Sequence, residues 1–501
     1  MYAAIRSATL LGTRGAPIVV ESHVGVGIPA FTVVGLPDEG CRESRDRVRA
    51  ALLSSGLEWP NRRITINLAG TAERKGGAGM DLAIAIGLLV AQEVIHPSAI
   101  ERMAFIAELG LDGSLRPTAG MAPLVDAVSD CEVVVAGSAV AESMLARPPR
   151  LHGVGTLREL VDVLMNDQPW PEIDQIPVLV VEDPIADLAD VRGQHSARLA
   201  LEVAAAGFHH MLMVGPPGAG KSMLARRLPG LLPRLTDDEA FTCAMVRSAA
   251  GIGSGVTVAT APPFRSPHHS VSMAAMVGGG SSYIRPGELS LASHGVLFLD
   301  EMGEFAPTVL DALRQPLEEG VVSIARAHSS VTMPAKCLLI AATNPCPCGA
   351  GTPTRCHCTP NAKQRYLRRF SGPLLDRFDV RIHLVKPSTV DLTSDSPGES
   401  SAVVAQRVAH VHRVSLERQG CLNSAISAEH LDEVAPLSRD AMVWLRRKLD
   451  DGHLSGRGYH RIRRVARTLA DMHGEHEVIK SEWVETAVSM RVSVVTQTEF
   501  H

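Results

Sequence analysis

The sequence predicts an α/β protein of three parts: a mixed α/β front domain (residues 1–166), a central α/β core (184–388) and a helical lid (400–497). Three observations carry this expectation. In the front part, short strand-like runs such as Ile64–Leu68 alternate with helical ones such as Asp81–Val90. In the centre, the apolar run Leu212–Val214 leads into Gly215-Pro216-Pro217-Gly218-Ala219-Gly220-Lys221-Ser222 and then Met-Leu-Ala-Arg-Arg-Leu, the strand, glycine loop and helix order of a P-loop. Beyond residue 400 the sequence is amphipathic and helical.

The boundaries have their own signals. Prolines 169, 171, 177 and 184 punctuate acidic residues and mark a linker over 167–183 with one short extended segment. A second boundary lies in the Pro-, Ser- and Asp-rich run between Pro387 and Ser401. No internal repeat argues for a solenoid.

Composition excludes several classes. With 45% hydrophobic and 21% charged residues the chain is an ordinary globular protein, not a disordered or collagen-like one. Aromatic residues are only 4%, so base-stacking platforms are not indicated, and a net charge of −5 means that nucleic-acid contacts must come from local basic surfaces. No run approaches the roughly 20 apolar residues of a membrane span, and the start lacks a secretory signal, so a cytoplasmic address is expected with no membrane partner.

The P-loop dictates its own chemistry. Gly215, Pro216, Pro217, Gly218, Ala219 and Gly220 form the loop whose N–H groups cradle phosphate oxygens, Lys221 meets the β- and γ-phosphates of ATP, and Ser222 offers a hydroxyl to Mg2+. Downstream, the apolar strand Val296–Leu299 delivers Asp300 and Glu301, as in a Walker B segment. Asp300 is expected to hold magnesium through water and Glu301 to act as general base on the attacking water. A further strand, Leu338–Ala342, ends in Thr343-Asn344, where Asn344 is placed to orient that water against the γ-phosphate.

Cys346 and Cys348, with Cys356 and Cys358, make two C-x-C pairs separated by seven residues. This insert (346–358) is able to wrap one tetrahedral Zn2+ as a closed structural site. Nine cysteines is an odd count and four of them sit within thirteen residues, which suits a metal site in a reducing compartment better than a disulfide framework; the other five are scattered and are expected to be buried small residues.

With these residues in hand, the chain resembles AAA+ proteins of the magnesium-chelatase-like group, and closely the YifB/ComM family. The resemblance rests on Asp190-Val-Arg-Gly-Gln194, Phe264-Arg-Ser-Pro-His-His-Ser270, Gly278–Gly280, Arg285-Pro-Gly-Glu288, Asn344-Pro-Cys-Pro-Cys-Gly349 and Leu374-Leu-Asp-Arg-Phe-Asp379. It implies that Arg377 is an arginine finger directed at the ATP of a neighbouring subunit, and hence a homo-oligomeric ring, a hexamer. It further implies a lid sensor in Ser455-Gly-Arg457-Gly-Tyr-His-Arg461, either Arg457 or Arg461, with Arg457 favoured. Pore-facing insertions are expected at His268-His269 with Gly278–Gly280 and at the hairpin-like stretch Val322–Pro334, which carries Arg326 and His328.

The front domain resembles the one fused ahead of this family's ATPase, which shares its fold with the Lon protease catalytic domain. Here Gly77 stands at or near the serine position, and Ala119-Gly-Met-Ala122 stands where the lysine segment would lie, so a protease is disfavoured. Lys75 and the arginine-rich helix Arg42–Arg49 are candidate DNA contacts.

The resemblance implies ATP-driven translocation on DNA, a helicase or branch-migration activity in recombination. The rivals are a magnesium-chelatase motor subunit, against which the Lon-like front domain and the four-cysteine insert argue, and a chaperone-like protein remodeller. Stimulation of ATP hydrolysis by DNA separates the three.

Overall fold

A computed structural model describes residues 1–35, 39–70, 78–166, 168–172, 185–252, 259–280, 284–326, 329–350, 356–389, 398–451 and 454–491. Lys75, Gly77, His328 and the side chain of Arg326 lie outside the described residues, as do most of the linker and part of the second boundary.

The front part is a seven-stranded mixed sheet of β1 (Tyr2–Leu11), β2 (Arg14–Gly25), β3 (Ala30–Val34), β4 (Arg63–Ala69), β5 (Met103–Ile106), β6 (Glu132–Ala136) and β7 (Arg150–Val154), in the order β3-β4-β2-β1-β5-β6-β7. β1 and β2 are an antiparallel hairpin, and strict alternation in β4 turns Ile64, Ile66 and Leu68 inward. Helix α1 (Glu39–Ser54) packs on α2 (Asp81–Ala91), whose sequence is apolar all round and whose every residue is buried. The exception in chemistry is Asp81, which is buried but paired: Arg47 Nε and Nη2 donate to its two carboxylate oxygens at 2.6 and 3.1 Å. Burial pushes the Asp81 carboxyl up and Arg47 opposes that shift. Arg47, in the helix considered for DNA contact, thus spends its guanidinium inside the front domain.

The second sheet is parallel throughout. It contains β8 (Met211–Val214), β9 (Phe264–Arg265), β10 (Val296–Leu299), β11 (Leu338–Thr343) and β12 (Val380–His383), in the order β9-β10-β11-β8-β12. Both faces are covered, so β8, β10 and β11 are continuous apolar runs. Met211 and Met213 face α4 (His195–Gly207) and the lid, and Leu212 and Val214 face the opposite layer. Helix α5 (Lys221–Ala225) leaves the P-loop, and α6 (Asp237–Ala249) opens with a capping box made by Thr236 and Glu239. The stretch expected to be hairpin-like is an antiparallel hairpin, Val321–Arg326 with Ser329–Pro334, whose Val322, Val331 and Met333 are buried against the core. The lid is α8 (Ser401–Gln419), α9 (Arg439–Asp450), α10 (Gly456–Met472) and α11 (Ser481–Ser489), with α10 packed on α4 and α8.

Among the described residues, two contacts join front part and core. Helix α3 (Met121–Asp126) docks on α6: Gly120 N donates to Ser248 O, Ala122 N donates to Ser248 Oγ at 3.2 Å, and Ser248 Oγ donates to Glu142. The Ala119–Ala122 segment, where a Lon-type lysine is missing, therefore serves as an interdomain contact. At the second contact the β1–β2 turn lies so close to the core hairpin that a Cβ on Gly12 would sit 2.2 Å from Val331 Cγ1. Among the described residues no helix is long and apolar enough to cross a membrane.

Candidate nucleotide site and arginine edge

The P-loop starts where β8 ends. Gly215 N donates to Thr343 O, tying the loop to the end of β11, and Gly218 and Gly220 hold left-handed backbone angles (φ +77° and +89°) that a side chain would disfavour. Lys221 Nζ donates to Gly215 O (2.6 Å), Pro216 O (3.1 Å) and Asn344 Oδ1 (3.1 Å). Partial burial lowers its pKa, against the pull of Asp300 and Glu301. Ser222 Oγ donates to Asp300 Oδ2 at 2.6 Å, so the two oxygen donors expected on magnesium already converge.

Glu301 follows Asp300 on a backbone in the left-handed region (φ +50°), which is unfavourable for a non-glycine residue and common where a catalytic side chain is aimed. Its carboxylate is largely exposed and lies 3.9 Å from His269 Nδ1. His269 lies beside His268, their rings 4.0 Å apart and tilted by 35°, and meets Phe305 edge-on. The His-His motif expected at the pore therefore borders the Walker B glutamate. In the same region Arg265 and Glu288, two family-motif residues distant in sequence, form a bidentate pair at 2.7 Å on both arms.

Two residues near the loop carry roles that the sequence did not reveal. Gln194 Nε2 donates to Ala219 O and Val385 O, clamping the P-loop to the chain beyond β12. Its only signal was membership of a family motif. Tyr366, on α7 (Pro360–Leu367), shares a 2.8 Å hydrogen bond with Thr343 Oγ1 and donates to Asn344 O, bracing the strand end that carries Asn344. No local pattern marks it.

The arginines lie elsewhere. β8 and β12 are parallel and in register, Met211 beside Val380 and Val214 beside His383, so the P-loop follows one end of the pair and Arg377 precedes the other. Arg377 Nη2 donates to Glu318 Oε2 at 2.5 Å and Nε to Arg314 O. Arg461 donates to Asp379 Oδ1 and to Arg377 O (3.2 Å), which sets it beside Arg377 and away from the P-loop of its own chain. Arg457 is exposed, one helical turn before it in the first turn of α10. Arg377, Arg461, Arg464 and His210 line a cavity of about 440 Å3 at this edge.

Asp379 anchors the edge to the lid. His209 Nδ1 lies 3.1 Å from Asp379, and His209 Nε2 bonds Thr468 Oγ1 on α10. Burial alone would raise the Asp379 pKa, but the His209 hydrogen bond and the Arg461 charge hold it well below the usual carboxylate range.

The four cysteines meet. The sulfurs of Cys346, Cys348, Cys356 and Cys358 all lie within 4.8 Å of one another, with Sγ–Sγ separations of 3.3 Å (346–348), 3.7 Å (348–356) and 3.6 Å (346–356). Four thiolates at about 2.3 Å from a tetrahedral zinc stand roughly 3.8 Å apart, so the cluster fits that ion.

A parallel sheet with a P-loop, an acidic strand end and a polar strand end at one edge, arginines at the other and a helical lid defines a P-loop nucleotide-binding protein. The chain belongs to the magnesium-chelatase-like AAA+ family: it matches the models described as magnesium chelatase, subunit ChlI (residues 187–392), subunit ChlI of Mg-chelatase (20–136) and magnesium chelatase, subunit ChlI C-terminal (398–491). It is 40% identical over 494 residues to competence protein ComM of Haemophilus influenzae, covering 96% of each chain. It is 39% identical to the Escherichia coli protein YifB, over 97% of this chain and 96% of that one. A shorter match, 26% identical over 36% of this chain and 22% of the other, is to the rice protein named probable DNA helicase MCM9. Since a ChlI model covers part of the front domain, that domain does not set the chain apart from chelatase subunits as its Lon-like character led us to expect.

Proposed function

We propose that this chain is a magnesium-dependent ATP hydrolase that assembles as a cytoplasmic ring, a hexamer, and moves DNA as a helicase or translocase in recombination, including branch migration. The observation that carries the ring is the division of the catalytic groups. Lys221, Ser222, Asp300, Glu301 and Asn344 gather at one end of the parallel sheet, and Arg377 and Arg461 at the other. One subunit thus supplies the phosphate loop, the magnesium donors and the base. A neighbour supplies the guanidinium that stabilises charge on the transferred phosphoryl group, with Arg457 or Arg461 as the lid's contribution. The competence-protein relative and the partial similarity to a helicase support DNA as the substrate. The test is ATP turnover with linear and branched DNA; a rate indifferent to every DNA structure refutes the DNA reading.

A second reading, a motor subunit for magnesium insertion into a tetrapyrrole, is favoured by the descriptions of the three family models. Stimulation by DNA decides against it.

The four cysteines hold one structural zinc in this reading. Elemental analysis is expected to find about one metal per chain, lost on Cys346→Ser and Cys348→Ser substitution. Metal-free, fully folded native protein refutes it.

A further inference from the structure

We infer that the four-cysteine knuckle is a clasp for the phosphate site, holding Asn344 and the P-loop in catalytic register when its metal is bound. The inference rests on the zinc reading and adds a role in turnover to it.

The knuckle is joined to the site at both ends and at its tip. On entry, the buried Cys346 follows Asn344 by two residues, and Asn344 Oδ1 accepts from Lys221 Nζ at 3.1 Å. On exit, Cys358 is followed at once by Thr359, whose hydroxyl caps the start of α7 through Ala362 N. That helix carries Tyr366 back to Thr343 and to Asn344 O. At the tip, the buried Gly349 adopts φ +70° and lies against the P-loop: a Cβ there would be 3.0 Å from both Cγ and Cδ of Pro217. The described residues between Asn344 and Cys358 belong to no helix or strand, so no ladder of backbone hydrogen bonds holds them. A crosslink removes conformational freedom that a loop of this kind otherwise keeps. Four convergent thiols are the crosslink available, and they sit between the water-orienting asparagine and the helix that braces it.

A knuckle serving only as a distant structural plug would tolerate metal loss without consequence for ATP. A clasp would not, because displacement of a positioning group by about 1 Å costs on the order of 10²-fold in rate. The cysteines are positioning residues in this scheme, acting through Asn344, which orients the water, and through Pro217 of the phosphate loop.

The experiment uses the full chain in three forms: native, Cys348→Ser with Cys356→Ser, and Gly349→Val. Three quantities are read: metal per chain, affinity for a fluorescent ATP analogue, and ATP turnover, with the thermal midpoint as a check on folding. The native protein is expected to carry about one zinc. The double serine variant is expected to lose it and to turn over about 10²-fold more slowly. Gly349→Val is expected to keep its metal, to fold with a lowered thermal midpoint because a β-branched residue at φ +70° is strained, and to bind the analogue more weakly and lose turnover to a similar degree because its Cβ meets Pro217. If the serine variant does not fold, Gly349→Val decides. Metal-free protein with native affinity and turnover, or a metal-loaded Gly349→Val with native values, overturns the clasp while leaving the zinc reading intact. Absence of metal from the native protein overturns the zinc reading itself, and the clasp with it.

Discussion

Substituting Arg377 by alanine tests the shared site most directly. The β8–β12 pair runs four residues from Met211 to Val214, with Arg377 before its start and the phosphate loop after its end. At about 3.3 Å per residue the three steps of this ladder put its two ends ~10 Å apart along the strands, beyond the ~7 Å reach of an arginine side chain. Arg377 therefore cannot touch the phosphate bound by its own Lys221. Its loss should cost the neighbour the worth of an arginine finger, roughly 10³–10⁵ in rate, or about 4–7 kcal/mol of transition-state stabilisation. The local cost is small: the partner Glu318 is 65% exposed, and such a pair contributes about 0–1 kcal/mol after solvent screening. Stability and ATP binding should stay near native while turnover collapses. The assay is a mixing titration. Arg377→Ala subunits keep an intact P-loop and Lys221→Ala subunits keep an intact finger, so complete interfaces form only in mixed rings, and activity should reappear on mixing. Two variants that demonstrably co-assemble yet recover no activity would refute a site shared between subunits.

Three further outcomes follow from the same structure. Lys221→Ala should abolish ATP binding, whereas Glu301→Gln should bind and trap ATP because it removes only the base acting on water; a Glu301→Gln enzyme with normal turnover would remove Glu301 from that role. Burial pushes His210 down to about 4, and its neutral Nδ1 accepts from Leu339 N at 3.1 Å. The unfolded chain takes this proton near pH 6.5, so the stabilisation is whole above that pH and is lost as pH falls toward 4, about 2 kcal/mol of it by pH 5. Denaturant midpoints at pH 7.5 and 5 should therefore fall further for the native protein than for His210→Gln, and equal losses would sink the assignment. Arg47→Ala should destabilise the front domain by roughly 3–5 kcal/mol by leaving the Asp81 carboxylate buried without its partner, and the double Arg47→Met, Asp81→Leu variant should recover much of that in calorimetry.

The sequence by itself determined the parts whose chemistry is local. A P-loop is a strand, a glycine loop and a helix in one short stretch, so Gly218, Gly220, Lys221 and Ser222 were legible without a fold. Asp300 and Glu301 were legible because a buried strand reads as an apolar run and its end is marked by charge, and the cysteines because four thiols within one short insert have few other uses. Tertiary structure alone decided which distant residues these groups meet. That Ser222 lies on Asp300, that Tyr366 braces Asn344, that Gln194 clamps Ala219 and that Gly349 rests on Pro217 follow from the strand order β9-β10-β11-β8-β12, which no single segment encodes. The same holds for Arg47, one of several arginines along α1 in sequence and the partner of a buried aspartate in space. It holds most clearly for Arg377 and Arg461. For Arg377 the separation from the P-loop is set by the parallel direction of β8 and β12, because the chain leading into parallel strands lies at one end of the sheet and the chain leaving them at the other, whereas Arg461 is brought to Arg377 O and Asp379 by the packing of α10 on α4.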